Sequence, residues 1–165
     1  MNEATVVPDG DDWTLVFVRD FRHSPKAVWD ALTDPAELDR WSPFVPSRDL
    51  GTPGDATLTT VDGDDREDHP ATVRRAEAPS LLEYTWGDDL LRWQLEPLGD
   101  GTRLTLRHTL RTPGIEDKVA AGWHLCFDQL DRAAGEEPVT AIRGRAALDH
   151  GWEELRAGYA EKFRR

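Results

Sequence analysis

The sequence contains very little sulfur, and its first segment has no apolar run. Cys126 is the only cysteine among 165 residues, so no disulfide can form within the chain and packing has to hold the fold together. The segment 1–12 lacks both the basic start and the apolar run of a signal peptide or a membrane anchor. From these absences we expect a cytoplasmic protein with no membrane attachment.

Positive charge is also scarce. The chain has 20 lysine and arginine residues against 32 aspartate and glutamate residues, which gives a net charge of −12. Such a charge repels phosphate backbones and anionic lipid head groups at long range. We therefore expect neither nucleic acid nor a membrane surface among the partners of this protein.

Motifs for cofactors and metal ions are absent from the sequence. It contains no glycine-rich phosphate loop, nucleophile elbow or zinc motif. The acidic stretch 62–68 lacks the ligand spacing and the closing glutamate of a calcium loop, and it is typical of a solvated hairpin loop. His23, His69, His124 and His150 are scattered, with no pair at metal-ligand spacing on one element. We predict no cofactor and no metal.

Tryptophan, by contrast, is abundant. Seven of the 14 aromatic residues are tryptophans. Each large ring buries about 150–250 Å² of surface, which only a core, a pocket or an interface can accept. The chain length fits a single domain with a sizeable core. The positions of the tryptophans therefore indicate where a core, a pocket or an interface lies.

The order of apolar patterns along the chain predicts an α+β fold. The β-branched and aromatic segment 13–19 indicates a first strand, and the Ser24-Pro25 pair begins a short helix that a second one, at 36–41, follows. A long apolar stripe predicts a helix over 116–134. Between the helical regions, five short alternating segments predict an antiparallel meander with strands at 56–61, 71–78, 81–86, 90–98 and 102–110.

The same patterns divide the chain into three parts. We expect a flexible N-terminus at 1–12 and a ligand-binding domain at 13–134. The remaining segment, 135–165, is expected to pack on that domain as a helical extension. Its final helix carries an apolar stripe of Leu148, Trp152, Leu155, Tyr159 and Phe163.

Alternation along the last two predicted strands makes one face of the sheet apolar. Leu91, Trp93 and Leu95 share a face, as do Leu104, Leu106 and His108, whereas charged and polar residues occupy the opposite face. The stripe of the long helix, which includes Trp123 and Phe127, is expected to cover the apolar face. Because a curved sheet bends away from a straight helix, a cavity is expected between them.

Three segments of the chain resemble a known family. They are RDFRHSPKAVWDALTDPAELDRW at 19–41, GTRLTLRH at 101–108 and AGWHLCFDQL at 121–130. In this order they are similar to the SRPBCC (START-like, birch-pollen-allergen-like) superfamily, in its branch homologous to the activator of the heat-shock protein 90 ATPase. The resemblance implies the helix-grip fold, with a curved antiparallel sheet around a long helix, and a deep apolar cavity. Superfamily members use this cavity to bind lipids, polyketides, hormones and other hydrophobic molecules.

The apolar face and the resemblance together suggest a set of cavity-lining residues. We predict that a hydrophobic small molecule contacts Trp41, Phe44, Tyr84, Trp86, Leu91, Trp93, Leu95, Leu104, Leu106, His108, Trp123 and Phe127. For any single tryptophan, packing in the core is favoured over contact with a ligand, because burial alone explains it. His108 is the residue most open to a functional role, because it lies on the apolar face and imidazole titrates near neutral pH. The alternative is a histidine bonded to a neighbouring side chain or to the covering helix.

Three functions are consistent with these sequence patterns. The first is a carrier or sensor that binds a hydrophobic molecule without changing it. The second is a cyclase or hydrolase, in which His108 and Tyr84 act as acid and base. The third is a chaperone-interaction module, although the bacterial-type domains that this chain resembles lack the additional domain of the eukaryotic activator. A homodimer through Trp152 and Tyr159 is a further expectation.

Overall fold

One antiparallel sheet of eight strands forms the body of the computed structural model, which describes residues 2–164. Its strands are β1 (Asn2–Asp9), β2 (Asp12–Phe21), β3 (Phe44–Pro46), β4 (Gly54–Asp62), β5 (Asp65–Glu77), β6 (Leu81–Trp86), β7 (Asp89–Leu98) and β8 (Gly101–Leu110). In space the order is β1-β2-β8-β7-β6-β5-β4-β3. The strands from β3 to β8 therefore form a continuous meander, and β2 pairs with its last strand.

The predicted meander is confirmed, with one correction at the acidic stretch. The five predicted strands correspond to β4 to β8, and the predicted first strand is β2. The acidic stretch 62–68 is not a loop along its whole length, because β5 begins at Asp65 and Asp62 pairs directly with Asp65. Residues 65–68 are exposed on an extended hairpin, so their charge remains in water while their backbone joins the sheet.

The N-terminal segment corrects another expectation. Predicted to be flexible, it forms β1, which pairs with β2 from Asn2 opposite Arg19 to Asp9 opposite Asp12. The acidic residues and Pro8 of β1 make the strand pattern difficult to detect in the sequence. A proline and charged side chains are tolerated here because β1 is an edge strand, with one row of backbone groups facing solvent.

Helices cover one face of the sheet. They are α1 (Pro25–Thr33), α2 (Pro35–Trp41), α3 (Glu116–Ala134) and α4 (Trp152–Lys162), with a 3-10 helix at Gly144–His150. The Ser24 side chain accepts a hydrogen bond from the backbone N–H of Ala27, and the Asp34 side chain accepts one from that of Ala36. Each short helix therefore begins with a proline that directly follows its N-cap residue. The predicted bounds of the long helix agree with those of α3.

The core lies between α3 and the inner face of the sheet. The Phe17 and Phe127 rings meet edge to face at 4.9 Å, and the Trp93 and Trp123 rings do so at 5.5 Å. The two predicted apolar rows on β7 and β8 are buried, as the alternation indicated. A curved sheet that packs against one long helix is the helix-grip fold, so the predicted fold class is confirmed.

The C-terminal segment differs in detail from its prediction. Leu148 belongs to the 3-10 helix and is 53% exposed, so it does not continue the stripe of α4. Gly151, with φ of +80°, separates the two helices. The Tyr159 hydroxyl lies 2.7 Å from Nδ1 of His124, and this contact joins α4 to α3. No helix within residues 2–164 is both long and apolar enough to cross a membrane.

Candidate functional site

A cavity of about 1010 Å³ opens at one end of the sheet, beside the first half of α3. Two of its walls are the β4–β5 hairpin and the turn between β6 and β7. The first half of α3, the loop that follows β8 and the segment after α3 form the others. Its rim includes exposed charged residues such as Asp65 and Asp88, so this side is accessible to solvent. The volume is at the upper end of the range for small-molecule sites, roughly 300–1,000 Å³.

Three tryptophans give the cavity an aromatic interior. Trp86 comes from the end of β6, Trp123 from α3 and Trp152 from the start of α4. The rings of Trp86 and Trp123 meet edge to face with centroids 6.3 Å apart, and Phe44 supports Trp86 from behind at 4.8 Å. These contacts hold two of the three rings in fixed orientations, so an apolar surface is already formed before any molecule enters.

His108 lies in the wall of this cavity and is held from both sides. Only 2% of the residue is exposed. Its Nδ1 accepts a hydrogen bond from the indole N–H of Trp123 at 3.0 Å, and its Nε2 lies 2.7 Å from Oδ2 of Asp89. Because an indole nitrogen can only donate, Nδ1 carries no proton and the proton of the neutral ring is on Nε2. His108 therefore accepts from Trp123 and donates to Asp89.

Asp89 completes this hydrogen-bonded chain at the start of β7. Its second oxygen, Oδ1, accepts a hydrogen bond from the backbone N–H of Arg111 at 3.1 Å. Burial by itself raises the pKa of Asp89, but the bonds from His108 and from the Arg111 backbone outweigh it, so the pKa lies below its ordinary value. Asp89 is therefore a carboxylate at neutral pH, and it fixes the orientation of the imidazole.

The geometry does not assemble the acid–base pair considered from the sequence. Both ring nitrogens of His108 already have partners, so proton transfer to a bound molecule would require the bond to Trp123 to break. Tyr84 is fully buried and does not line the cavity; its hydroxyl accepts a hydrogen bond from the Trp93 indole at 3.2 Å, and burial raises its pKa. Within residues 2–164, no group of three or more potential ligand side chains is placed to hold a metal ion.

The structure divides the twelve predicted contact residues into two groups. Trp86, His108 and Trp123 line the cavity. The other nine are packed in the core and do not reach it, namely Trp41, Phe44, Tyr84, Leu91, Trp93, Leu95, Leu104, Leu106 and Phe127. The reason is that α3 lies directly against the middle of the sheet, so the space that the curvature opens is at the end of the strands and not at their centre.

The comparisons with known proteins identify the family. The family model of activator of Hsp90 ATPase homolog 1-like proteins matches residues 22–135, which is more than two thirds of the chain. The chain belongs to this AHSA1-like family. No curated protein matches the sequence.

Solved structures of low sequence identity share the AHSA1-like fold. A conserved protein of unknown function from Enterococcus faecalis has a TM-score of 0.73 and 18% identity, over 97% of this chain and 90% of that one. The solution structure of CalU16 from Micromonospora echinospora has a TM-score of 0.72 and 20% identity, over 99% and 93%. An AHSA1-like protein from Aeromonas hydrophila has a TM-score of 0.63 and 23% identity, over 74% and 92%.

Part of the cavity wall lies beyond the AHSA1-like match. Ile142, Arg143, Gly144 and Ala147 line the cavity, and we refer to residues 142–147 as the strap. Sequence reasoning missed this wall because it placed the site between the sheet and α3 alone. Trp152, an additional tryptophan close to the strap in sequence, was the only signal that pointed to it.

Arg143 anchors the strap to α2. Its guanidinium donates to the backbone carbonyl oxygens of Ser42 at 2.8 Å, Asp39 at 3.1 Å and Leu38 at 3.4 Å, all at the C-terminal end of that helix. A cation is favoured there because the last carbonyl groups of a helix have no intrahelical partners. This contact brings a segment about one hundred residues distant in sequence against the AHSA1-like core.

Other predicted features of α3 and α4 have contacts within the chain. Cys126 is buried in the cavity wall, and burial raises the pKa of its thiol to about 12, so the thiol stays protonated and unreactive. Trp152 and Tyr159, which we considered for dimerisation, both have partners within the chain. Tyr159 bonds to His124, and the Arg156 guanidinium lies 5.9 Å from the ring centre of Trp152.

Proposed function

We propose that this AHSA1-like protein binds a hydrophobic small molecule in the cavity, as a carrier or a sensor. The observation that carries the proposal is an open cavity of about 1010 Å³ with Trp86, Trp123 and Trp152 in its walls. Trp86 and Trp152 are partly exposed, and large aromatic side chains in contact with solvent-accessible space favour a molecule that covers them. Members of the SRPBCC superfamily, which this chain resembles, use their cavities in the same way.

An order-of-magnitude estimate supports a useful affinity. A ligand that buries about 400 Å² of apolar surface gains about 10 kcal/mol, at about 25 cal/mol per Å². Association itself costs at least about 4 kcal/mol, which leaves a dissociation constant on the order of tens of micromolar. Polar contacts at the rim would lower this dissociation constant further, so micromolar binding is within reach of the cavity.

Binding without chemistry is favoured over a cyclase or hydrolase that uses His108. A general base needs a free lone pair within reach of the substrate proton, and the Nδ1 lone pair of His108 is directed at Trp123. Asp89 is also engaged, through bonds to His108 and Arg111. The hydrogen-bonded chain is therefore better suited to hold the cavity wall rigid than to exchange protons with a ligand.

The proposal can be tested by filling the cavity from α3. Gly122 lines the cavity, and a Cβ added there would have no neighbour within 4 Å, so the side chain of Gly122→Leu projects into open space. We expect it to raise the dissociation constant of N-phenyl-1-naphthylamine, a neutral apolar fluorophore, at least about tenfold, which corresponds to about 1.4 kcal/mol of lost contacts. Binding is measured by probe fluorescence and by quenching of tryptophan emission.

Gly158→Leu on α4 is the matched control. Gly158 is also helical with no neighbour within 4 Å of an added Cβ, but it is absent from the cavity walls. Both substitutions replace a helical glycine, so both are expected to raise helix stability by roughly 0.5–1 kcal/mol. If Gly122→Leu bound the probe as tightly as Gly158→Leu and the wild type, the cavity would not be the binding site. Native mass spectrometry of protein from its own source would identify any molecule that copurifies.

A further inference from the structure

We propose that the strap is the gate of the cavity. The close approach of Gly144 to Asp62 holds the strap against the β4–β5 hairpin. This inference rests on the proposed function, because a gate matters only if a molecule enters. The strap crosses from α2 to the β4–β5 hairpin and forms the cavity wall that lies outside the family match.

Gly144 is the residue that makes the contact possible. Its φ is +54°, in the left-handed region that favours glycine, and an added Cβ would lie 2.1 Å from Cγ of Asp62. No side chain fits at this distance. The backbone of the strap is therefore pressed against the Asp62 carboxyl group at the end of β4, and any other residue at 144 would push the two apart.

Asp62 also bonds to the strap. Its Oδ1 accepts a hydrogen bond from the backbone N–H of Arg145 at 3.2 Å, and Oδ2 lies 3.7 Å from Nε of the same arginine. Arg145 reaches Asp65 as well, at 3.9 Å. The side chain of Arg145 is 80% exposed, so the ion pairs contribute little and the backbone bond is the stronger link. One carboxylate on the hairpin therefore closes one side of the cavity.

The segment that carries the strap can move as one piece relative to the sheet and α3. Arg143 fixes one end to α2, and Gly151, with φ of +80°, lies between the 3-10 helix and α4 at the other. Between these points the 3-10 helix has no buried residue. Few buried contacts mean a low free energy of local opening, so this segment is less firmly held than α3, which has nine buried residues.

Movement of the strap away from Asp62 would widen the mouth of the cavity, which is already open beside Asp65 and Asp88, without disturbing the sheet or α3. Gly144 and Ala147 would leave the wall, whereas Trp86 and Trp123 would remain in place on β6 and α3. The contact is therefore expected to control how fast a molecule enters and leaves. Its effect on equilibrium affinity is expected to be smaller, because much of the aromatic wall does not depend on it.

The test compares Gly144→Ala with Gly10→Ala by stopped-flow mixing with N-phenyl-1-naphthylamine. Gly10 has φ of +61° and no neighbour within 4 Å of an added Cβ, so its variant carries a similar backbone strain without the collision. We expect Gly144→Ala to raise both the association and the dissociation rate constants about fivefold, the change expected from loss of about one hydrogen bond. Gly10→Ala should leave both rate constants as in the wild type.

Asp62→Ala provides a second variant, because it removes the acceptor and leaves the glycine in place. The same increase in both rate constants is expected, and the effect of the double variant should be close to that of either single variant and well below the sum of the two effects. Rate constants of Gly144→Ala and Asp62→Ala equal to those of Gly10→Ala would overturn the gate while the binding function stood. If the wild-type protein bound no probe, the proposed function itself would fail.

Discussion

Replacement of His108 by phenylalanine tests whether the Trp123–His108–Asp89 chain holds the cavity wall together. The phenyl ring keeps much of the shape of the imidazole but can neither accept from Trp123 nor donate to Asp89. The Trp123 residue is 3% exposed, so its indole N–H would be left buried without an acceptor, at a cost of about 1–3 kcal/mol. Asp89 would lose one bond but keep the one from the Arg111 backbone.

The two losses add to an expected destabilisation of about 2–4 kcal/mol for His108→Phe. The Asp89 share is the smaller one, because its side chain is 25% exposed and water can replace the lost donor. The free energy of unfolding is measured by urea denaturation followed by far-ultraviolet circular dichroism. Tryptophan emission is avoided as the probe because the substitution changes the surroundings of Trp123 and Trp86.

A double-mutant cycle separates the bond from simple packing. Trp123→Phe removes the indole donor, so His108→Phe in that background should cost about 1–2 kcal/mol less than in the wild type. A cost of His108→Phe below about 0.5 kcal/mol would refute the reasoning, as would effects of the two substitutions that add within about 0.5 kcal/mol. Either result would mean that the chain of hydrogen bonds does not stabilise the wall.

Two further predictions concern groups whose pKa differs from its ordinary value. The pKa of Asp89 in the folded protein lies below that of an unfolded aspartate, about 3.9, so its stabilisation is fully present above that pH and is lost as pH falls through the folded pKa. The stability difference between the wild type and Asp89→Asn should therefore be constant near neutral pH and shrink below about pH 4, and a difference that did not shrink at all as the pH fell below about 4 would contradict this assignment. Burial raises the pKa of the Cys126 thiol to about 12, so little thiolate is present at pH 8. A disulfide reagent should therefore label the native protein at least about tenfold more slowly than the urea-unfolded chain. Equal labelling rates would contradict the burial of Cys126.

Much of the fold could be predicted from local sequence patterns. The alternation around Trp93 and Leu106 identified the inner face of β7 and β8, because side chains alternate across a strand whatever its neighbours are. Ser24 and Asp34, each followed by proline, marked the starts of α1 and α2 because caps act within one turn of the chain. β1 was missed because its stability comes from pairing with β2, which its own acidic sequence does not reveal.

The candidate site depended more strongly on tertiary structure. Alternation shows which face Trp93 occupies, but not how far along the strands α3 remains in contact with the sheet. The sequence could not separate Trp93, which is packed in the core, from Trp86, which lines the cavity a few residues away. That difference arises from the angle between the straight helix and the curved sheet, which no local pattern encodes.

The sequence by itself determined the elements, the inner face of the sheet and the family resemblance, because these depend on residue periodicity and on short motifs. Only the tertiary structure decided where the cavity lies and what closes it. The contacts of Arg143 with the end of α2 and of Gly144 with Asp62 join segments about one hundred and about eighty residues apart. Such contacts form only when the whole chain is folded, and they place the C-terminal strap in the wall of the site.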